Sequence, residues 1–257
     1  MNNSSKSYSS QIAVIKRLLA NVNHNYRVVD IGAGDLSTFS NSADLLNEGW
    51  KGYLFENKSI LAESALKVIN DNDFDAAFVK AAITHENILS LLEGLAVPRI
   101  FSVLSIDIDS FDALVVRKIL TKYEPLLVII EINERIPPTV DYELLYDPIY
   151  IGKDLTLYAS ASISRMCAIF DAFEYHPTEL LYNNLVCVSN ELKPTEQKSP
   201  LELWKSGFFN TNWREHMPWN IPFEFLWALS PNQAEGFLRV KTQELGLKVD
   251  IRSAFPQ

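Results

Sequence analysis

Five times between Tyr26 and Asn133 a short apolar run gives way to a stretch with helical spacing or to the next turn. The runs lie in "YRVVDIGAGD", "WKGYLFE", "DAAFVKAAI", "RIFSVLSIDID" and "PLLVIIEIN". Between them stand "FSNSADLLNEG", "SILAESALKVIN", "ENILSLLEGL" and "FDALVVRKIL". Strands that alternate with helices of roughly ten residues need crossover connections, and hence a parallel sheet. A run as continuously apolar as "LLVII" needs cover on both faces. The expected fold class is therefore α/β, a doubly wound and mostly parallel sheet.

An amphipathic stretch, "QIAVIKRLLA", precedes the sheet. A further helix, "SASISRMCAIFDAF", and a strand pair, "TELLYNNLVCVSN", follow it, which makes about seven strands with the last antiparallel. From Ile136 to Tyr158 the alternation lapses into a long connection with Pro137, Pro138 and four tyrosines. Connections of that length are usually functional or disordered. Tyr142, Tyr146, Tyr150 and Tyr158 suit either a stacking wall or ordinary packing. After "ELKPTEQKSP" the chain turns aromatic, with Trp204, Trp213, Trp219 and Trp227, and then helical in "PNQAEGFLRVKTQELG". The expected organisation is an N-terminal helical segment over 1–25, a core over 26–192 and an aromatic-rich, helical C-terminal extension over 193–257. That extension packs on the core or on a second copy, so a homodimer stays open.

The formal charge of −9 argues against a general phosphate-binding surface, because nucleic-acid binders cluster Lys and Arg. No apolar run approaches the roughly 20 residues that span a bilayer. The opening "MNNSSKSYSS" lacks the apolar core of a signal peptide, so a cytoplasmic protein without membrane or nucleic-acid partners is expected. The two cysteines lie in the apolar settings "RMCAIF" and "NLVCVS", as buried free thiols would.

"VVDIGAGD" places Gly32 and Gly34 directly after a strand and before a helix, where the backbone must turn sharply and approach a ligand. A dinucleotide fingerprint would put a third glycine at Ser37. Two acids, Asp30 and Asp35, flank the turn; they would repel a pyrophosphate and suit a ligand with a positive centre and an amine. Glu56 closes "GYLFE", where a carboxylate can accept both hydroxyls of a ribose.

These residues carry a resemblance. "VVDIGAGD" with "GYLFE" resembles the cofactor half of class I S-adenosylmethionine-dependent methyltransferases. Together with "LSIDIDSFD", "LLVIIEIN" and "LYASAS" it is similar to methyltransferase-like proteins related to the FkbM family, over roughly residues 8 to 192. In that group the third block commonly reads D-I-D-G-x-D, and this chain has Ser110 at the glycine position. The resemblance implies a Rossmann-like fold and S-adenosylmethionine as cofactor. It implies that Asp30, Gly32 and Gly34 line the methionine and ribose, that Glu56 holds the ribose hydroxyls, and that Ala81 and Ala82 flank the adenine.

Ligands of open α/β sheets bind beyond the carboxyl ends of the strands. Asp107 and Asp109 fall at one such end, and Glu131 with Asn133 at another. Positions two apart share a face, so the four can converge. Three carboxylates and an amide oxygen suit Mg²⁺ or Mn²⁺, which would acidify a substrate hydroxyl. Without metal, Asp107 and Asp109 would meet substrate or the cofactor amine, and Asp112 would cap the next helix. His85, after the third strand, is the candidate base; His216 matters if the tail covers the site. Glu134 and Arg135 are candidates for contact with a polar or acidic substrate. The expected activity is O-methylation of a small-molecule, sugar or peptide-derived natural product. The alternatives are a non-catalytic binding protein on the same fold and a metal-dependent enzyme of different chemistry.

Overall fold

The computed structural model describes residues 5–38, 40–151, 155, 157–192 and 197–254, with the side chains of 5–10 outside that description. A helix, α1 (Ser5–Leu19), leads into a seven-stranded sheet. Its strands are β1 (Arg27–Ile31), β2 (Lys51–Glu56), β3 (Ala76–Lys80), β4 (Ile100–Ile106), β5 (Glu124–Glu131), β7 (Tyr175–Leu181) and β8 (Asn184–Ser189), in the order β3-β2-β1-β4-β5-β8-β7. β1 pairs in parallel with β2 and β4, and β2 in parallel with β3. The first five strands follow the 3-2-1-4-5 order of doubly wound nucleotide folds. β7 and β8 are joined by only two residues, which makes that pair antiparallel. The fold class read from the sequence is the one observed.

Contacts group the chain into two compact units. The first takes in the chain up to Ile108, Lys118–Ile129 and a short piece beginning at Val188. It carries β1 to β4 with α2 (Ala43–Asn47), α3 (Ser59–Asn72) and α4 (Ile88–Gly94). Its strands are apolar because both faces are covered: Val28, Val29, Ile31, Leu54, Phe55, Leu104 and Ile106 are fully buried. The parallel register sets Ile31 beside Phe55 and Ile106, so the turns after β1, β2 and β4 open along one edge. The chain leaves β1 in one direction toward β2 and β3 and returns to β4 on its other side. That reversal is the place where such sheets bind ligands.

The second unit holds Asp109–Arg117, Ile130–Cys187 and the C-terminal segment. Here the structure corrects the reading of 136–158 as one long connection. Val140–Leu144 is a strand, β6, paired antiparallel with β9 (Val249–Ser253), Tyr142 opposite Ile251. Alternation in "VDYEL" is a weak signal over five residues, and its partner lies more than a hundred residues on. The tail is accordingly not helical throughout, because β9 follows the helix α7 (Pro231–Glu244). Ser230 and Gln233 form a reciprocal capping box at the start of α7. α7 packs Ala234 and Leu238 with Val140, Tyr142 and Ile251 in one apolar cluster.

An ion network fixes the β6–β9 pair. Arg165, on α6 (Ile163–Ala172), binds Asp141, Glu143 (2.9 Å) and Asp250 (2.7 Å). Arg117 is bidentate to Glu143 at 2.5 Å, and Arg252 reaches Asp141 at 2.6 Å. The tryptophans of the tail pack against one another: Trp227 lies 5.5 Å from Trp204 and 5.1 Å from Trp213, both edge-on. Cys187 is buried and Cys167 partly so, both as free thiols. Burial pushes the Cys167 thiol up to about 12, which removes it as a nucleophile. No helix of the described residues is long and apolar enough to cross a membrane.

Candidate functional site

In the first unit the glycine turn leaves β1 with Gly32 and Gly34 both in the left-handed region, at φ +90° and +63°. The two glycines are needed for different reasons. A Cβ on Gly32 would stand 1.7 Å from the Asp107 carbonyl oxygen, so this glycine lets β1 and β4 close together. A Cβ on Gly34 would meet nothing within 4 Å. Gly34 is therefore the position where the backbone faces open space and a ligand can approach it. The Gly32 and Ala33 N–H groups donate to the Phe55 carbonyl, which locks the turn onto β2.

Glu56 ends β2 beside this turn and is buried. Its Oε2 accepts from Gly34 N–H at 3.1 Å and its Oε1 from Lys58 N–H at 2.7 Å. Each oxygen keeps a second lone pair for a hydroxyl donor. Asp35 accepts from the N–H groups of Ser37 and Thr38 at 2.9 and 2.7 Å. Burial tends to raise its pKa, but those backbone donors outweigh burial and hold it below the ordinary value. Its carboxylate thus organises the turn that follows.

Asp30 is 1% exposed, and Ser42 donates to its Oδ2 at 2.6 Å. Burial lifts its pKa from an ordinary 3.8 to about 6; the Ser42 and Ser105 hydroxyls pull it back, and the charge of Glu56 adds to the rise. Its Oδ1 has no hydrogen-bond partner among the described residues. After β3, Ala81 N–H is tied to the Glu56 carbonyl and the Ala82 carbonyl accepts from Asn87 at 2.8 Å. His85 lies in this same loop, half-buried, between β3 and α4.

Of the acids at the strand ends, Asp107 follows β4 in the first unit, and Asp109 and Glu131 belong to the second. Within the second unit one carboxylate oxygen of Asp109 lies within 4.8 Å of one of Glu131. Asp109 takes a left-handed φ of +55°, a conformation that Asp tolerates better than most residues. Asn183 donates to Glu131 Oε1 at 2.8 Å, and Ser160 Oγ to the Glu131 carbonyl at 3.0 Å. Asn133 is buried with its amide nitrogen donating to the carbonyls of Leu157 and Ala159, and its Oδ1 has no partner among the described residues. Asp112 is the first residue of α5 (Asp112–Leu120), not the residue before it, and its Oδ2 accepts from Ser110 N–H at 3.2 Å.

Other candidates serve the second unit's own packing. His216 stacks on Tyr182 at 4.9 Å, with its Nδ1 3.1 Å from the Asn212 carbonyl oxygen. Glu134 is buried and accepts from Asn220 at 2.5 Å. The indole N–H groups of Trp204 and Trp227 donate to the carbonyls of Glu134 (3.0 Å) and Arg135 (2.9 Å). The aromatic tail thus fixes the backbone that follows β5, a role that no local sequence pattern announces.

No protein-family model and no curated protein matches the sequence. Solved structures with a similar trace include a StiE O-MT chain at 12% identity and TM-score 0.38, over 66% of this chain and 54% of that one. They also include a magnesium protoporphyrin IX methyltransferase (ChlM) from Synechocystis PCC 6803 with bound SAH, at 11% identity and TM-score 0.46, over 74% and 88%. A putative O-methyltransferase from Klebsiella pneumoniae stands at 14% and 0.47, over 74% and 82%. This chain spans about half of the matched StiE chain. At these identities and scores the likenesses assign neither activity nor ligand to this protein.

Proposed function

We propose that this chain is an S-adenosylmethionine-dependent methyltransferase of class I. It acts on an oxygen of a small-molecule, sugar or peptide-derived natural product, with Mg²⁺ or Mn²⁺ held by Asp107, Asp109 and Glu131. The observation that carries the reading is the edge of the first unit where β1 turns back toward β4. There Gly34 opens onto free space and Glu56 closes the neighbouring strand.

The cofactor, when bound, supplies an electrophilic methyl group on sulfur. Gly32 and Gly34 would border its methionine and ribose, Glu56 would accept the ribose hydroxyls, and Ala82 would flank the adenine. Asp30, with one oxygen held by Ser42, would line the methionine beside them. Carboxylates such as Asp109 and Glu131 suit a hard divalent cation, and the Oδ1 of Asn133 is a further oxygen of the right chemistry. The residues around the acceptor would bind and orient its hydroxyl and draw off its proton, a task for the carboxylate cluster or for His85.

Calorimetry with S-adenosylhomocysteine and a Mn²⁺ titration followed by electron paramagnetic resonance test the two parts separately. Wild type should bind both. Gly34→Ala should lose the nucleoside while keeping Mn²⁺, and Glu131→Gln the reverse. Absence of any nucleoside binding, with and without Mn²⁺, overturns the reading; absence of Mn²⁺ binding alone removes the metal from it.

A further inference from the structure

The second unit contains a cavity of ≈ 820 Å³ whose lining shares no residue with the glycine turn or the acid cluster. That volume falls within the roughly 300–1,000 Å³ typical of small-molecule sites. Four of its apolar side chains, Ile149, Leu157, Trp219 and Leu245, are between 41% and 59% exposed. Large apolar side chains gathered in water mark a binding surface.

The rings of the lining narrow the occupant's shape. Three of the four tail tryptophans are spent on one another, Trp204 and Trp213 each meeting Trp227 edge-on. Trp219 has neither a ring contact nor an indole hydrogen bond among the described residues. Tyr150, by contrast, is a fixed wall. Its ring is buried and stacks on Phe111 at 6.3 Å. Its hydroxyl donates to the Gly246 carbonyl at 2.9 Å and accepts from Lys248 N–H at 2.8 Å. A surface already held in place loses little freedom when a guest arrives. An aromatic guest gains offset or edge-on ring contacts there beyond the area it buries.

The charges of the lining narrow the occupant's chemistry. Arg135 brings no unbalanced charge, because Glu134, buried as it is, stands 3.7 Å away. Burial raises the Tyr158 phenol above its ordinary pKa, so at neutral pH it remains uncharged. A guest with a charge of its own would lose water and find no spare counter-charge.

We propose that this cavity binds an uncharged aromatic compound, its rings packed against Trp219, Tyr150 and Tyr158 and its edges against Leu157 and Leu245. Affinity comes from ring packing, and selectivity from the lack of an unbalanced charge.

The test uses the full chain without any sulfonium cofactor, so it fails or succeeds independently of the methyl-transfer reading. Calorimetry at pH 7 compares 2-naphthol with 2-naphthoate, 2-naphthylmethylammonium and decahydro-2-naphthol. Wild type should bind 2-naphthol saturably, at least fivefold more tightly than either ion and at least threefold more tightly than the saturated alcohol. Trp219→Ala removes an exposed ring that packs on no other ring among the described residues, so the fold is kept, and 2-naphthol should weaken at least fivefold. Ile221→Ala alters a similarly exposed residue outside the lining and should leave affinity within about twofold. Absence of saturable binding, an ion or the saturated alcohol binding as well as 2-naphthol, or an equal response to the two substitutions would overturn the assignment.

Discussion

Asp30 is a carboxyl group inside the first unit whose protonation must show in stability. Its folded pKa is lifted from an ordinary 3.8 to about 6, chiefly by burial. At about 1.4 kcal/mol per pH unit, that difference is worth roughly 3 kcal/mol. The sign follows from linkage. Below about pH 4 the group is protonated in both states and costs nothing. Between pH 4 and 6 the unfolded chain releases the proton while the folded chain keeps it, so stability falls as pH rises. Above pH 6 the whole penalty is present. Asp30→Asn removes the titration and keeps an oxygen that can accept from Ser42. The change in packing and hydrogen bonding that it brings is independent of pH. The difference in unfolding free energy, variant minus wild type, should therefore become more favourable by about 3 kcal/mol from pH 4 to pH 8. Urea unfolding of both proteins at each pH unit measures it. Two curves that stay parallel across that range would show that Asp30 titrates as an ordinary carboxylate, and the account of a buried, strained turn would be wrong.

The two glycines of the turn should separate in kind. Gly32→Ala meets the Asp107 carbonyl at 1.7 Å as well as an unfavourable φ, and should cost ~4 kcal/mol or prevent folding, read as loss of soluble protein or a large fall in Tm. Gly34→Ala meets only the backbone penalty of about 1–2 kcal/mol. Arg165→Met would leave Asp141, Glu143 and Asp250 facing one another with fewer cations. It should destabilise the second unit by about 3–5 kcal/mol at neutral pH, measured by urea unfolding. Arg165 is also the chief cause of the lowered Asp250 pKa, a contribution present at neutral pH and lost on acidification, so the gap between variant and wild type should narrow below pH 4.

The parts of the molecule that the sequence discloses are those governed by neighbours in the chain. "VVDIGAGD" combines strand, turn and helix within a few residues, and Glu56 follows because a parallel register carries the second strand to the same edge. Asp107 and Asp109 could be placed at a strand end for the same reason. The meaning of each residue was harder to read than its place. Gly32 serves strand closure and Gly34 openness, yet both appear as the same letter in a ligand-binding turn. Asp30 accepts from Ser42, and a strand's penultimate residue faces one side of the sheet, where only the partner on that side decides which environment it meets. The second unit was least legible. Its β6 is recognisable only once β9 supplies the other half of its hydrogen bonds. Its cavity joins residues near 150 to residues near 246, and part of its wall is an arginine whose backbone is held by a tryptophan 92 positions away. A local pattern can report what a residue requires of its neighbours along the chain. It cannot report that Trp227 donates to Arg135, and so a site assembled from distant segments is visible only where some residue, like Gly34, is shaped by the vacancy itself.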